Sequence, residues 1–123
     1  MGQKKVMIVD DSNTVLLAEQ LILKQLACDI IVARDGAEAI RKAIAERPDL
    51  ILMDLVMPKL NGIEACRALQ ARDDTKAIPV IMVTTRSEHF NIEAAYANGC
   101  RDYLTKPIDA QQLLAKLKLY LGE

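Results

Sequence analysis

Asp10, Asp11, Asp54, Thr84 and Lys106 are the residues of this sequence whose types, taken together, could do chemistry. Asp10 and Asp11 follow the apolar run KVMIV, Asp54 follows LILM, Thr84 and Thr85 follow PVIMV, and Lys106 stands before Pro107 after the segment DYLT. Each alone has a plain structural explanation, since an aspartate after a strand is often a helix cap or turn residue and a lone Lys-Pro pair says little. Brought to one place they become costly, because carboxylates packed within a few ångströms repel one another unless a cation joins them. Three carboxylates and one ammonium leave a net negative charge that a divalent ion cancels. Magnesium meets that demand: it takes hard oxygen ligands, keeps several waters and uses a few carboxylates beside a phosphate. A carboxylate next to bound magnesium can itself attack phosphorus and form an aspartyl phosphate. The metal, Lys106 and the Thr84 hydroxyl would then share the charge on the transferring oxygens.

That chemistry requires a scaffold delivering all five residues to one edge. Short apolar runs that each end in a polar residue predict parallel strands buried on both faces: β1 over Lys5 to Val9, β3 over Leu50 to Met53 and β4 over Pro79 to Val83. Weaker runs predict β2 over Ile30 to Ala33 and β5 over Asp102 to Leu104. Stretches of helical period lie between them. The first, α1, starts at a cap on Ser12 or Asn13 and reaches about Leu26. Next come α2, from Ala37 to Glu46 after Gly36, and α3, which opens at Asn61 and Gly62 and reaches about Arg72. The fourth, α4, runs from Ser87 to a stop at Asn98 and Gly99, and α5 is capped by Asp109 and continues to the C-terminus. Strands alternating with helices specify right-handed βαβ units, hence an α/β fold with a parallel sheet covered on both faces. Ligands of such sheets bind beyond the carboxyl ends of the strands, where these five residues stand.

Composition narrows the function classes. The chain has 123 residues, one domain's worth, so residues 1–123 are expected to form a single domain with no separate output domain. Sixteen basic and seventeen acidic residues are scattered, for a net charge of -1, which disfavours nucleic acid as a partner because phosphate neutralisation needs a concentrated positive face. The longest stretch without a charge is nine residues, Ala77 to Thr85, about half of a bilayer span. Cys28, Cys66 and Cys100 are widely spaced and accompanied by one histidine, His89, so zinc and disulfide frameworks both fail. Free thiols are expected in a reducing cytoplasm, with Cys66 and Cys100 as small buried hydrophobes.

VDDS at 9–12, ILMDLVMPKLNG at 51–62, VIMVTT at 80–85 and DYLTKP at 102–107 together make the sequence resemble the response-regulator receiver domain of two-component signalling, of the single-domain CheY type. The resemblance covers essentially the whole chain. It implies a doubly wound (βα)5 flavodoxin-like sheet in strand order 2-1-3-4-5 and a regulatory, phosphoryl-accepting protein rather than a dedicated enzyme. It implies Asp54 as phosphoacceptor, Asp11 and Asp54 as direct magnesium ligands, Asp10 acting through a water, and the Val56 backbone carbonyl completing the protein ligands. Lys106 resembles the lysine that contacts the phosphoryl group, with a cis Lys106-Pro107 bond. Thr84 and Tyr103 occupy the positions of the family's switch pair. The implied partners are a histidine kinase or histidine phosphotransfer protein, and a target bound by the α4-β5-α5 face of a monomeric protein. In departure from common family patterns, Val56 and Arg86 offer no acid or amide to orient water, and Thr85 stands where a smaller alanine is frequent.

Other readings are weaker. A phosphatase of the haloacid-dehalogenase type also uses an aspartate nucleophile and magnesium, but its second aspartate falls two residues after the first, and here Ser12 follows Asp10 at that spacing. Glycines at 2, 36, 62, 99 and 122 cannot form a dinucleotide or P-loop motif. A receiver that serves only as a scaffold would not need the complete acidic set. His89 reads as a solvent-facing helical residue, Met53, Met57 and Met82 as core fillers, and Gly62 and Gly99 as devices at helix ends. Along α1, Val15, Ala18, Ile22 and Leu26 have the spacing of a core face. Leu16, Leu17 and Leu21 are then surplus, and Leu17 with Leu21 is expected either to form an exposed apolar patch that docks the phosphodonor or, if the helix is rotated, to belong to the core.

Overall fold

The computed structural model describes residues 3–57, 60–85 and 91–122. Its elements are β1 Lys4–Val9, α1 Asn13–Leu23, β2 Cys28–Ala33, α2 Gly36–Glu46, β3 Leu50–Asp54, α3 Gly62–Gln70, β4 Val80–Thr84, α4 Ile92–Ala97, β5 Asp102–Thr105 and α5 Ala110–Leu121. All strand pairs are parallel and the sheet order is β2-β1-β3-β4-β5, the order the resemblance implied.

Side chains alternate across the pleat, so each strand feeds two apolar layers. Met7, Val9, Ile51, Met53, Val80 and Met82 join Ala39 and Ala43 of α2, Ala65, Cys66 and Leu69 of α3 and Ala95 of α4. Val6, Ile8, Leu50, Leu52, Ile81 and Val83 point the other way, onto Leu16 and Leu23 of α1 and Leu113, Leu117 and Leu121 of α5. Burial on both faces accounts for the unbroken apolar runs of β3 and β4. At the edges, β2 and β5 expose part of one face and carry Asp29, Asp102 and Thr105, which is why their sequence signal is weak.

Helix starts follow the expected chemistry. Ser12 Oγ accepts from the Val15 amide at 3.3 Å, Asp109 from the Gln112 amide at 3.1 Å, and Asn61 and Glu64 form a reciprocal capping box. The cap of α2 is Asp35, which accepts from Glu38, and Gly36 is already helical. Expected features at Ser87, His89 and Arg86 fall outside the described residues. α1 ends at Leu23, short of Leu26, and α3 at Gln70, where the buried Thr75 hydroxyl donates to the Leu69 carbonyl at 2.7 Å.

The face α1 turns inward differs from the expected one. Leu16, Glu19 and Leu23 are buried, Val15, Ile22 and Leu26 only partly so, and Ala18 is exposed. Positions i, i+3 and i+7 still define the stripe, but an acidic residue sits in it, so a purely apolar pattern selects a neighbouring stripe and misassigns Leu16. Leu17 and Leu21 are exposed rather than in the core, at 59% and 56%.

Candidate functional site

β1, β3 and β4 end at one edge of the sheet, and the loop after β5 reaches back over it. Asp10, Asp11 and Asp54 each bring a carboxylate oxygen to within 4.8 Å of the others. Asp10 and Asp54 are 1% and 5% exposed, whereas Asp11 faces solvent, so the cluster opens on the Asp11 side. Ser12 links the cluster to α1, its amide donating to Asp10 Oδ1 at 2.9 Å while its hydroxyl caps the helix.

Lys106 spans the two buried acids. Its Nζ donates to Asp10 Oδ2 at 3.1 Å and to Asp54 Oδ1 at 3.2 Å. Burial alone would lower its pKa, but the Asp54 charge and the bond to Asp10 outweigh it and hold the ammonium above its ordinary value. The Lys106 amide donates to the Thr84 carbonyl at 2.6 Å, and Lys106-Pro107 is cis, as expected. One ammonium against three carboxylates leaves the cluster negative, and an all-oxygen donor set with this spacing suits magnesium.

Gly62 fixes the approach of α3 to this edge. A Cβ there would lie 2.4 Å from the Asp54 carbonyl oxygen, so close packing of helix on strand, rather than helix-end geometry, requires glycine. Gly99, at φ 104°, is the helix-end device expected after α4.

Thr84 is buried at the end of β4, its hydroxyl donating to the Thr85 carbonyl at 3.2 Å. Tyr103 on β5 is half-buried against the α2–α4 layer and meets Tyr96 of α4 edge to face, with centroids 6.4 Å apart and planes at 88°. It also lines a cavity of about 430 Å³ with Gln112, Ala115 and Lys116 of α5. Val56 lies two residues after the end of β3 and is exposed. Cys66 and Cys100 are buried, which pushes their thiols up to about 12 and about 11 and keeps them protonated, as core hydrophobes.

One residue of this neighbourhood escaped the sequence reading. Glu19 of α1 is 2% exposed, and its Oε1 has no hydrogen-bond partner among the described residues. Burial, and then the Asp10 charge, push its carboxyl up to about 8 against the opposing pull of Lys106. The available signal was that Glu19 is the sole charge within Asn13–Leu23, on the helix that leaves the acidic pair.

Residues 6–118 match the family described as response regulator receiver domain. Protein PilH of Pseudomonas aeruginosa is 39% identical over 118 residues, covering 96% of this chain and 98% of that protein. The alkaline phosphatase synthesis transcriptional regulatory protein PhoP of Bacillus subtilis is 38% identical over 118 residues, and there the chain spans only 48% of the relative's length. Among solved structures, the receiver domain of a sensor histidine kinase from Pseudomonas aeruginosa PAO1, with a magnesium ion coordinated in its active site cleft, superposes with a TM-score of 0.90 at 28% identity, covering 99% of this chain and 100% of that one. No helix among the described residues is long and apolar enough to cross a membrane.

Proposed function

The chain belongs to the response regulator receiver domain family, the aspartate-phosphorylated regulatory domains of two-component signalling, and from that premise we propose that residues 1–123 act as one magnesium-dependent phosphoacceptor switch with Asp54 as the acceptor. The observation that carries this reading is the carboxylate cluster closed by Lys106, which bridges Asp10 and Asp54 at 3.1 and 3.2 Å. A core ornament would not bury two acids at a strand edge against a half-buried lysine, because desolvation exceeds what such pairs return.

In the proposed transfer, an Asp54 carboxylate oxygen attacks the phosphorus of a phosphohistidine. The new P–O bond forms as the P–N bond breaks, and the electron pair leaves with the imidazole, which then takes up a proton. Lys106, held protonated by its two acids, is placed to follow the charge from carboxylate to phosphoryl oxygen. Magnesium held by Asp11, Asp54 and the Val56 carbonyl, with Asp10 acting through water, would supply the remaining charge neutralisation. Incubation with acetyl phosphate, with and without magnesium, followed by intact mass and peptide mapping, tests the reading. Modification at Asp10, Asp11 or His89, or equal uptake in EDTA, overturns it.

Output is proposed to run through Thr84 and Tyr103 to the α4-β5-α5 face, where the 430 Å³ cavity beside Tyr103 is the feature a moving ring would reshape. Thr84→Ala is expected to leave uptake within about twofold of wild type while abolishing the response, because the hydroxyl biases a two-state loop rather than performing the transfer. Identical changes in the Tyr103 ring resonances of phosphorylated wild type and Thr84→Ala would remove the basis for this role.

The partner supplying the phosphoryl group is proposed to be a histidine kinase or phosphotransfer protein in the cytoplasm, docking on α1. Leu17 and Leu21, one helical turn apart and more than half exposed, form an apolar patch on the helix that follows the acidic pair. Leu17→Ala with Leu21→Ala is expected to slow transfer from the protein donor about tenfold or more, the usual scale for two interface anchors. Uptake from acetyl phosphate and the melting temperature should stay nearly unchanged. Equal loss of both routes would place the docking face elsewhere.

A further inference from the structure

Between α1 and the loop joining β5 to α5 lies a cavity of about 240 Å³, lined by Thr14, Val15, Ala18, Ile22, Pro107 and Ile108, with Glu19 and Lys106 also on its wall. Its walls are mostly apolar, and its distinctive polar feature is the Glu19 carboxyl, 2% exposed and with Oε1 unpartnered among the described residues. Oε1 in that position lacks the protein hydrogen bond that normally accompanies burial, and can accept one from a group entering the cavity. The volume is below the roughly 300 Å³ at which drug-sized ligand sites begin, and suits a group the size of one long side chain.

We propose that this cavity is a binding site for an alkyl cation, a guanidinium or ammonium head on a short methylene stem, with the Glu19 carboxyl, which gives up its proton as the cation binds, as its anchor. The sign of the charge follows from the surroundings. Lys106 is the cation on the wall, and it is committed to Asp10 and Asp54 at 3.1 and 3.2 Å rather than to Glu19. Asp10 and Asp54 are thus both paired with Lys106, whereas Glu19 Oε1 has no hydrogen-bond partner among the described residues. An anion would be set against the Glu19 carboxylate. A neutral polar group would lack the charge-assisted bond that repays desolvation. The stem of an arginine or lysine buries against Val15, Ala18, Ile22, Pro107 and Ile108 while its head reaches the acid, as amphipathic side chains do elsewhere.

The test follows the methyl resonances of Val15, Ile22 and Ile108 in the full chain during titration with propylguanidinium chloride, with propylurea as the uncharged isostere and guanidinium chloride as the stemless one. Saturable shifts with propylguanidinium are expected, with affinity at least about tenfold weaker for propylurea and for Glu19→Gln, the scale of one charge-assisted hydrogen bond. Glu19→Leu, which keeps the volume and fills the wall, should show no saturation while retaining the wild-type spectrum elsewhere. Absence of saturable shifts, or equal affinity in wild type and Glu19→Gln, would overturn the site. A parallel titration with acetylarginine amide separates the sources: binding equal to propylguanidinium identifies a protein side chain as the occupant, and binding of propylguanidinium alone a free cation.

Discussion

Asp54→Asn will abolish phosphoryl uptake while leaving the fold intact. Asparagine keeps the shape of aspartate and can still accept from Lys106, which now sits 3.2 Å from Asp54 Oδ1, so the strand edge loses a charge and no packing. What disappears is the nucleophile, because an amide oxygen carries neither the negative charge nor the basicity to attack phosphorus. Neither neighbour can replace it. Asp10 is buried and accepts from both the Ser12 amide and Lys106, and Asp11 lies on the exposed side of the cluster. The measured quantity is incorporation from acetyl phosphate by intact mass, expected to fall by several orders of magnitude. Removing one of three mutually repelling carboxylates should at the same time raise the melting temperature in EDTA, since the wild-type cluster without a cation is under electrostatic stress. A variant that still takes up one phosphoryl group at wild-type rate would require a different acceptor.

This site was readable in the sequence because its residues sit at punctuation points. Asp10, Asp54 and Thr84 each end a strand whose unbroken apolar run marks burial on both faces, and parallel strands align such ends automatically. Caps at Ser12, Asn61 and Asp109 were equally readable, since a short polar side chain before an apolar periodicity has few other uses. The reading weakened where burial is one-sided, at β2, whose two extra residues Cys28 and Asp29 carry no alternation signal. It failed on α1. There Leu16, Leu17, Leu21, Ile22 and Leu23 supply more apolar residues than one face can bury, and the stripe used by the fold contains Glu19. Hydropathy assigns an acid to solvent, because burying an unpaired charge is costly. Only the three-dimensional neighbourhood, with Asp10, Asp54 and Lys106 nearby, shows a carboxyl that stays buried by keeping its proton.

Glu19→Leu is therefore expected to stabilise the protein, by an amount that depends on pH. In the fold the carboxyl titrates at about 8 instead of its usual 4.5, so the native state holds a proton that the unfolded chain has released over that interval. A group whose pKa is raised on folding contributes its full stability below the unfolded value and loses it as pH climbs toward the folded one. Each pH unit inside the window costs about 1.4 kcal/mol, so at neutral pH wild type forfeits about 3 kcal/mol that the leucine variant keeps. That is a large share of a small domain's total stability. Leucine has nearly the volume of glutamate and matches the apolar walls formed by Val15, Ala18, Ile22 and Ile108, so no cavity or strain opposes the gain. Urea unfolding in EDTA should show the two proteins converging near pH 5 and separating steadily up to about pH 8. Glu19→Gln should lose the same pH slope but gain less, because its amide remains buried without a partner. A wild-type-to-leucine difference that stays constant with pH would mean that Glu19 is ionised in the fold and paired, and a leucine variant less stable at pH 8 would mean the same more strongly.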